Sequence, residues 1–574
     1  MKRVFAILSV IFILIAGAYL AVRFWFLKAK DFSPDNSKAR SILDLRPAII
    51  AKLQQLVKDG SAGLYRLSID QLEPDPFSGT LDVSNASLVP DSGVLKLLNQ
   101  VGIKPPSLYK LSFRSLHIEG LGFDDLLWND RVSLKKISIN SPLIEIYHYD
   151  VKQPKPQDTA STLYQRLFSH MKTIAVAELS CSNGKVISYD VDGRTQPKQF
   201  NDLSFTLQNL LIDSSTQYDK KRFLFSESAS FSISGYAEMT PDSVYVFKCG
   251  KVSGTTQDGS LTINNMEYKP RMSRSQFESR RTVRMELFEL TTPGISFKGV
   301  DWWQLLNEGE FIAASARIDS SLAKIYLDRS LPFRKVRLDD FPQQALMRMS
   351  SHFLVSKVSI DHAYLAYTEY NPGIGKEGTI YVDNMKGEIS NLTNIASRVR
   401  TDPMMTIRTS GLFMHSVPMT GGFDLNLAAY KTGDFSMDLT IGETDSSILN
   451  RITVPLNEFT VKTGTIQRGV AHVQGDNFNA SGTGELLYTN LYLVGLKKDD
   501  DAPGNIKKKK LLSFLANKIL IKNANPAQGE PLRKADVHLK REDTFTFFGF
   551  VWRAINAGIM QIIGLPKGFG EQSH

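Results

Sequence analysis

Residues that carry chemistry are scarce in this 574-residue chain. There are two cysteines, Cys181 and Cys249. That count excludes a disulfide framework and leaves open a single bond between them in an oxidising compartment. The nine histidines are scattered. The chain contains no H-E-x-x-H, G-x-S-x-G, G-x-x-x-x-G-K or C-x-x-C, so the signatures of zinc peptidases, α/β-hydrolases, P-loop enzymes and dithiol redox proteins are absent. His117 with Glu119, and His148 with Asp150, place a histidine and a carboxylate on one strand face, a spacing that fits a metal but fits surface pairing better. Glu73 and Asp75 alternate with Pro74 and Pro76, which reads as a turn and not an acid–base pair. Arg271, Arg274, Arg280 and Arg281 form a basic cluster without interleaved aromatics, so no nucleic-acid partner is expected. No catalytic, metal-binding or cofactor-binding residue is assigned, no cofactor is expected, and the chain reads as a non-enzyme.

Hydrophobic residues make up 42% of the chain, enough to bury a core and to exclude wholesale disorder. The 33 phenylalanines and 19 tyrosines favour strands. A net charge of +9 is a mild basic excess that decides no partner by itself.

One long apolar run is present. Residues 4–22 contain no charge and, as a helix, span about 28 Å, the thickness of a hydrocarbon core. The candidate anchor residues are Phe5, Ile7, Leu8, Val10, Ile11, Phe12, Ile13, Leu14 and Ile15, with Trp25 and Lys28 at an interfacial position. A rival reading is a cleaved signal peptide with Ala16-Gly17-Ala18 as its site, but the run continues past it. An uncleaved single-pass anchor is expected. Pro47 then opens a helix carrying Ile49, Ile50, Leu53, Leu56 and Val57 on one face, ended by Asp59-Gly60. Strands follow at residues 64–69 and 79–88.

The stretch 111–150 organises the rest. Its apolar residues alternate, most cleanly at Ile137, Ile139, then Leu143 or Ile144, and Ile146, with Ser141-Pro142 interrupting the run. A turn and a short helical step are expected at residues 120–127. The module returns over residues 283–328. Ile139 follows Leu126 by the same thirteen residues that separate Ile318 from Leu305, and Ile146-Tyr147 and Ile325-Tyr326 sit at matching positions. Residue identity and spacing agree together, which predicts one repeated β unit.

A single N-terminal anchor, an amphipathic helix, a strand pair and this module together resemble the AsmA/TamB superfamily of bacterial envelope proteins. Further likeness lies in residues 176–213, with an expected Asn183-Gly184 turn, in a second copy over 355–394, and in 423–496. The resemblance implies a mainly β fold: a long curved antiparallel sheet bent into a groove, built from repeated strand modules, with an N-terminal transmembrane helix and few short helices. It also implies an inner-membrane protein with its bulk in the periplasm, serving outer-membrane homeostasis and carrying phospholipid along an apolar groove. Membrane lipids, the inner membrane and envelope proteins are its implied partners. The alternative is a non-catalytic assembly factor that offers a sheet edge to partner strands.

The expected organisation is an anchor at 1–30, an AsmA-like β module at 31–150, a second at 151–330, a third at 331–500, and a basic loop with an amphipathic helix at 501–574. Helices are expected at residues 161–171 and 341–349. Phe423, Leu425, Leu427, Phe435, Met437, Leu439 and Ile441 alternate with polar residues and are the candidate lipid-groove lining. Phe548, Val551, Trp552, Ile555, Ile559 and Ile562 form a helical stripe that suits either an interfacial helix or one docked on the sheet. The lysine run 507–510 reads as a solvated loop or a contact for anionic headgroups.

Overall fold

The computed structural model describes residues 46–565, apart from 62, 76–77, 103–104, 106, 121–130, 150–172, 192–196, 217–218, 458, 499–505 and 509–520. The expected anchor at 4–22 and the helix at 161–171 lie outside the described residues. No helix among the described residues is long and apolar enough to cross a membrane. The fold is mainly β. Two compact units divide the chain: Met1–Glu238 with Lys248–Ile263 and Asp301–Gly309, and Met239–Phe247 with Asn264–Val300 and Glu310–His574.

The first unit opens with α1 (Arg46–Gly60), β1 (Tyr65–Asp75), β2 (Thr80–Pro90) and α2 (Ser92–Gln100). There follow β3 (Ser107–Glu119), β4 (Arg131–Asn140), β5 (Leu143–His148), β6 (Thr173–Asp190) and β7 (Lys198–Ile212). Next in the chain are β8 (Ser228–Met239), β9 (Tyr245–Thr255), β10 (Ser260–Pro270) and α3 (Arg274–Glu278). The strands share one buried face. Leu81, Ile118, Ile137, Leu179 and Leu207 lie opposite one another across β2, β3, β4, β6 and β7, and all are buried. Leu53 and Val57 of α1 join this cluster, as the helical spacing predicts.

The second module runs through β11 (Leu287–Lys298), α4 (Trp302–Asn307), β12 (Phe311–Asp319), β13 (Leu322–Asp328), α5 (Pro342–Met347), β14 (Phe353–Asn371) and β15 (Lys376–Thr393). It repeats β3–β7 at a constant offset of 179 residues (318 − 139). Leu116 faces Ile139 as Ile295 faces Ile318. Tyr109 faces Ile146 as Phe288 faces Ile325. Ile137 faces Leu179 as Ala316 faces Val358.

Backbone irregularities recur at the same offset. Gly120 and Gly299, Ser141 and Ser320, and Asn183 and His362 all have positive φ. A Cβ on Gly120 would lie 2.8 Å from the Lys135 nitrogen, and one on Gly299 would lie 2.8 Å from Ala314 Cβ. Both positions therefore require the absent side chain as well as the left-handed backbone. The expected turn and helical step at 120–127 falls mostly outside the described residues; its counterpart in the repeat is α4.

Two expectations need correction. The sheet is mixed, not antiparallel, because β4 and β5 pair in parallel with β6, and β12 and β13 with β14. Parallel neighbours need a crossover of a dozen residues or more. Twenty-four residues separate His148 from Thr173, and the same number separate Asp328 from Phe353. Asn183-Gly184 is not a turn between strands but a bulge within β6. It sits against the break in the facing strand, where Ser141 donates to Ser182 O at 2.9 Å and Lys185 donates to Pro142 O at 2.7 Å. The broken strand and the bulged strand thus remain paired.

The chain then continues with α6 (Ala396–Thr401), β16 (Met404–Phe413), β17 (Val417–Asn426), β18 (Phe435–Ile441) and β19 (Thr444–Asp445). It ends with α7 (Asn450–Asn457), β20 (Phe459–Gly475), β21 (Asn479–Lys498), β22 (Ile506–Lys508), β23 (Lys534–Lys540) and α8 (Phe547–Ile563). Lys507 and Lys508 of the lysine run pair in β22 with Lys497 and Leu496.

Candidate functional site: an apolar trough beside the C-terminal helix

Helix α8 begins at Thr546, whose hydroxyl accepts from Gly549 N at 3.3 Å, and stops at Gly564, whose φ of 79° suits glycine. Arg541 steers the chain into it. This buried guanidinium donates to the carbonyls of Leu338, Asn477 and Phe545 at 2.8, 3.4 and 3.0 Å, and stacks on the Phe341 ring. Beyond Thr546 the helix lays Phe547, Phe550, Val551 and Ala554 on the sheet.

This placement corrects part of the expected groove. Leu425, Leu427, Phe435 and Met437 are buried with these helical residues and with Val473, as closed core. Phe341, Phe435 and Phe547 meet at ring separations of 4.8 to 5.7 Å in edge-on geometry. The alternation of these strand residues is therefore present, but the helix occupies the face they share. Phe423, Leu439 and Ile441 remain half-buried.

The helical stripe divides in the same way. Val551 and Ile562 are buried against the sheet. Phe548 and Trp552 are 65% and 53% exposed, and Ile555 and Ile559 are half-buried on the same flank. Phe548 meets Phe423 edge-on at 6.2 Å. Between this flank and the sheet lies a slot of about 80 Å³. Leu439, Ile441, Val470, Ile555 and Ile559 are among its walls, and Gly469, Gly482, Gly484 and Gly558 supply the space. A Cβ on Gly558 would stand 3.2 Å from Ala535 Cβ, so glycine also lets the helix approach β23. The carboxylate in the lining, Glu485, is held by Lys534 at 2.6 Å. The lining is mostly apolar, so the slot can desolvate methylenes.

The other candidate residues are dispersed. His117 pairs through Nδ1 with Asp82 at 2.6 Å and through Nε2 with Glu119 at 3.0 Å; the Asp82 carboxylate holds it protonated above its usual range. The side chain of His148 contacts Ser107. Cys181 and Cys249 are buried and unbonded to each other, and burial pushes the Cys181 thiol up to about 12. Among the four arginines, Arg274 reaches Glu377 at 3.2 Å, Arg281 stacks on Phe277, and Arg271 donates to Ser243 O. Asp75 caps its turn by accepting from Ser78. Among the described residues, no group of three or more His, Cys, Asp or Glu side chains converges as a metal site.

Sequence reasoning missed Glu278. Both of its carboxylate oxygens are buried and, among the described residues, have no hydrogen-bond partner. Burial, with the Asp328 charge nearby, pushes it up to about 7. Its position at the end of α3 carries no sequence signal, because its isolation comes from packing.

A scan against protein-family models returns no match for the chain, and a search of curated proteins finds no significant match.

Proposed function

We propose that this is a lipid-binding protein of the bacterial envelope, AsmA-like in kind, held in the inner membrane by residues 4–22 with its bulk in the periplasm. It shelters phospholipid acyl chains on the apolar face of its sheet and performs no covalent chemistry. The observation that carries this reading is the apolar trough beside α8, where Phe423, Leu439 and Ile441 face Phe548, Ile555 and Ile559. A slot of about 80 Å³ is roughly half the size of the cavity that takes up benzene in a protein core, so it holds a few chain carbons. At about 0.8 kcal/mol per methylene, three carbons would contribute about 2 kcal/mol while the headgroup stays in water.

The test is lipid extraction and mass spectrometry of the purified full chain. Leu439→Glu places a charge at the half-buried wall, where water can still reach it. It is expected to leave the circular dichroism spectrum unchanged and to lower co-extracted phospholipid several-fold. Ile555→Trp fills the slot from the helix side and should have the same effect without a charge. Wild-type lipid content in both folded variants would overturn the reading.

A further inference from the structure

Helix α2 presents a different surface. It is well formed: Asp91 caps it, accepting from Gly93 N at 2.8 Å and Val94 N at 3.1 Å. Yet none of its residues is buried. A free helix of nine residues is marginal in water. Its apolar residues nevertheless share one arc. Val94, Leu95 and Leu98 are half-buried, while Leu97 and Val101 at its edge are 63% and 68% exposed. Ser92, Lys96, Asn99 and Gln100 occupy the opposite arc. Val89 at the end of β2 is exposed as well.

We infer that α2 is a membrane-surface helix, seated in the interface of an anionic phospholipid bilayer through Leu97 and Val101. Size argues against a folded protein partner. Three exposed aliphatic side chains, Val89, Leu97 and Val101, and three half-buried ones fall short of the roughly 800 Å² per partner that a stable protein interface needs. An interfacial helix adds its small apolar contribution to other membrane contacts and needs no such area. Charge points the same way. Lys96 lies on the polar arc and Lys58 in the last turn of α1 close to Asp91, while Arg66 is ion-paired with Asp91 at 2.9 Å. Juxtamembrane lysine and arginine are drawn to anionic headgroups. The helix is placed at one end of the β1–β2 pair, where Asp91 N donates to Leu64 O at 2.8 Å and Gly63 abuts Val94. This inference rests on the proposed inner-membrane placement but not on lipid in the trough, since α2 belongs to the other unit.

The experiment uses environment-sensitive labels on the full chain. Single substitutions Leu97→Cys, Val101→Cys and Gln100→Cys are labelled with a nitrobenzoxadiazole probe; Cys181 and Cys249 are buried and leave a low background. Each protein is reconstituted into vesicles of phosphatidylethanolamine and phosphatidylglycerol, with and without spin-labelled lipid. The probes at positions 97 and 101 are expected to shift to the blue and to be quenched at least twofold more by spin-labelled lipid than the probe at 100. Replacing phosphatidylglycerol by a zwitterionic lipid should weaken the difference. Water-like emission at all three positions would overturn the inference. So would a blue shift without lipid quenching, which would assign the face to a protein contact.

Discussion

At the scale of single residues, the molecule's unusual side chains are isolated. Glu278 has two buried oxygens and no hydrogen-bond donor among the described residues, so its neutral form is favoured in the folded protein. Its folded value of about 7 lies above the ordinary 4.5. A proton held more tightly by the folded state adds stability that is fully present below pH 4.5 and is lost as pH rises through about 7. Glu278→Gln removes that dependence. Urea unfolding should find the variant more stable than wild type at pH 8, by on the order of 1 kcal/mol after discounting for partial solvent access, and the advantage should vanish at pH 4. An equal advantage at both pH values would mean that ionisation is not the cause. Cys181 and Cys249 show the limit of counting alone: two cysteines permit one bond, and only their separate burial shows two free thiols.

At the scale of elements, helix α8 decides the character of the strands beneath it. The apolar residues of β17 and β18 alternate as a one-sided strand should, and that pattern is equally suited to an open groove or a packed core. The covering residues, Phe547 to Ala554, lie more than a hundred positions further along, so no local pattern links the two. Met437 is buried among them. Met437→Lys would therefore place a cation in a dry aromatic core, at a cost of several kcal/mol. It is expected to lower the melting temperature sharply, whereas Leu439→Glu two residues on is expected to leave it near wild type. Similar melting of the two variants would contradict the division between closed core and open trough. Pairing direction belongs to this scale too. Alternation marks a strand but not its neighbour, so the parallel pairs of β6 and β14 could not be read from period two; they follow from crossovers of equal length.

At the scale of the whole molecule, the repeat is the main organising fact. Register, strand break, bulge and left-handed glycine recur at one offset. Gly120 and Gly299 should therefore respond alike to substitution, each within its own unit. Gly120→Ala and Gly299→Ala both force a side chain into left-handed backbone and against a neighbour fifteen residues on, and each should cost about 1–3 kcal/mol. Hydrogen exchange with mass spectrometry should show faster exchange in β3 and β4 for the first variant and in β11 and β12 for the second. Neutral behaviour at either position would break the equivalence. The modules differ in packing: the positions of Ile137 and Leu179 in the first are taken by Ala316 and Val358 in the second, smaller side chains in the same register.

The sequence alone determined that this chain is mainly β, that it carries a duplicated module, that α1 is amphipathic, and that apolar residues line one face of β17 and β18. These properties are set by period and spacing, which neighbouring residues impose on each other through backbone geometry. Tertiary structure decided which strands run parallel, that Asn183 makes a bulge, that α8 closes four of the seven expected groove positions, and that α2 leaves its apolar edge uncovered. Those outcomes depend on what lies against a surface, and the covering segment can be far away in the chain or absent from it. A pattern of side chains announces that a face is apolar, while the contact that buries or exposes it exists only once the chain has folded.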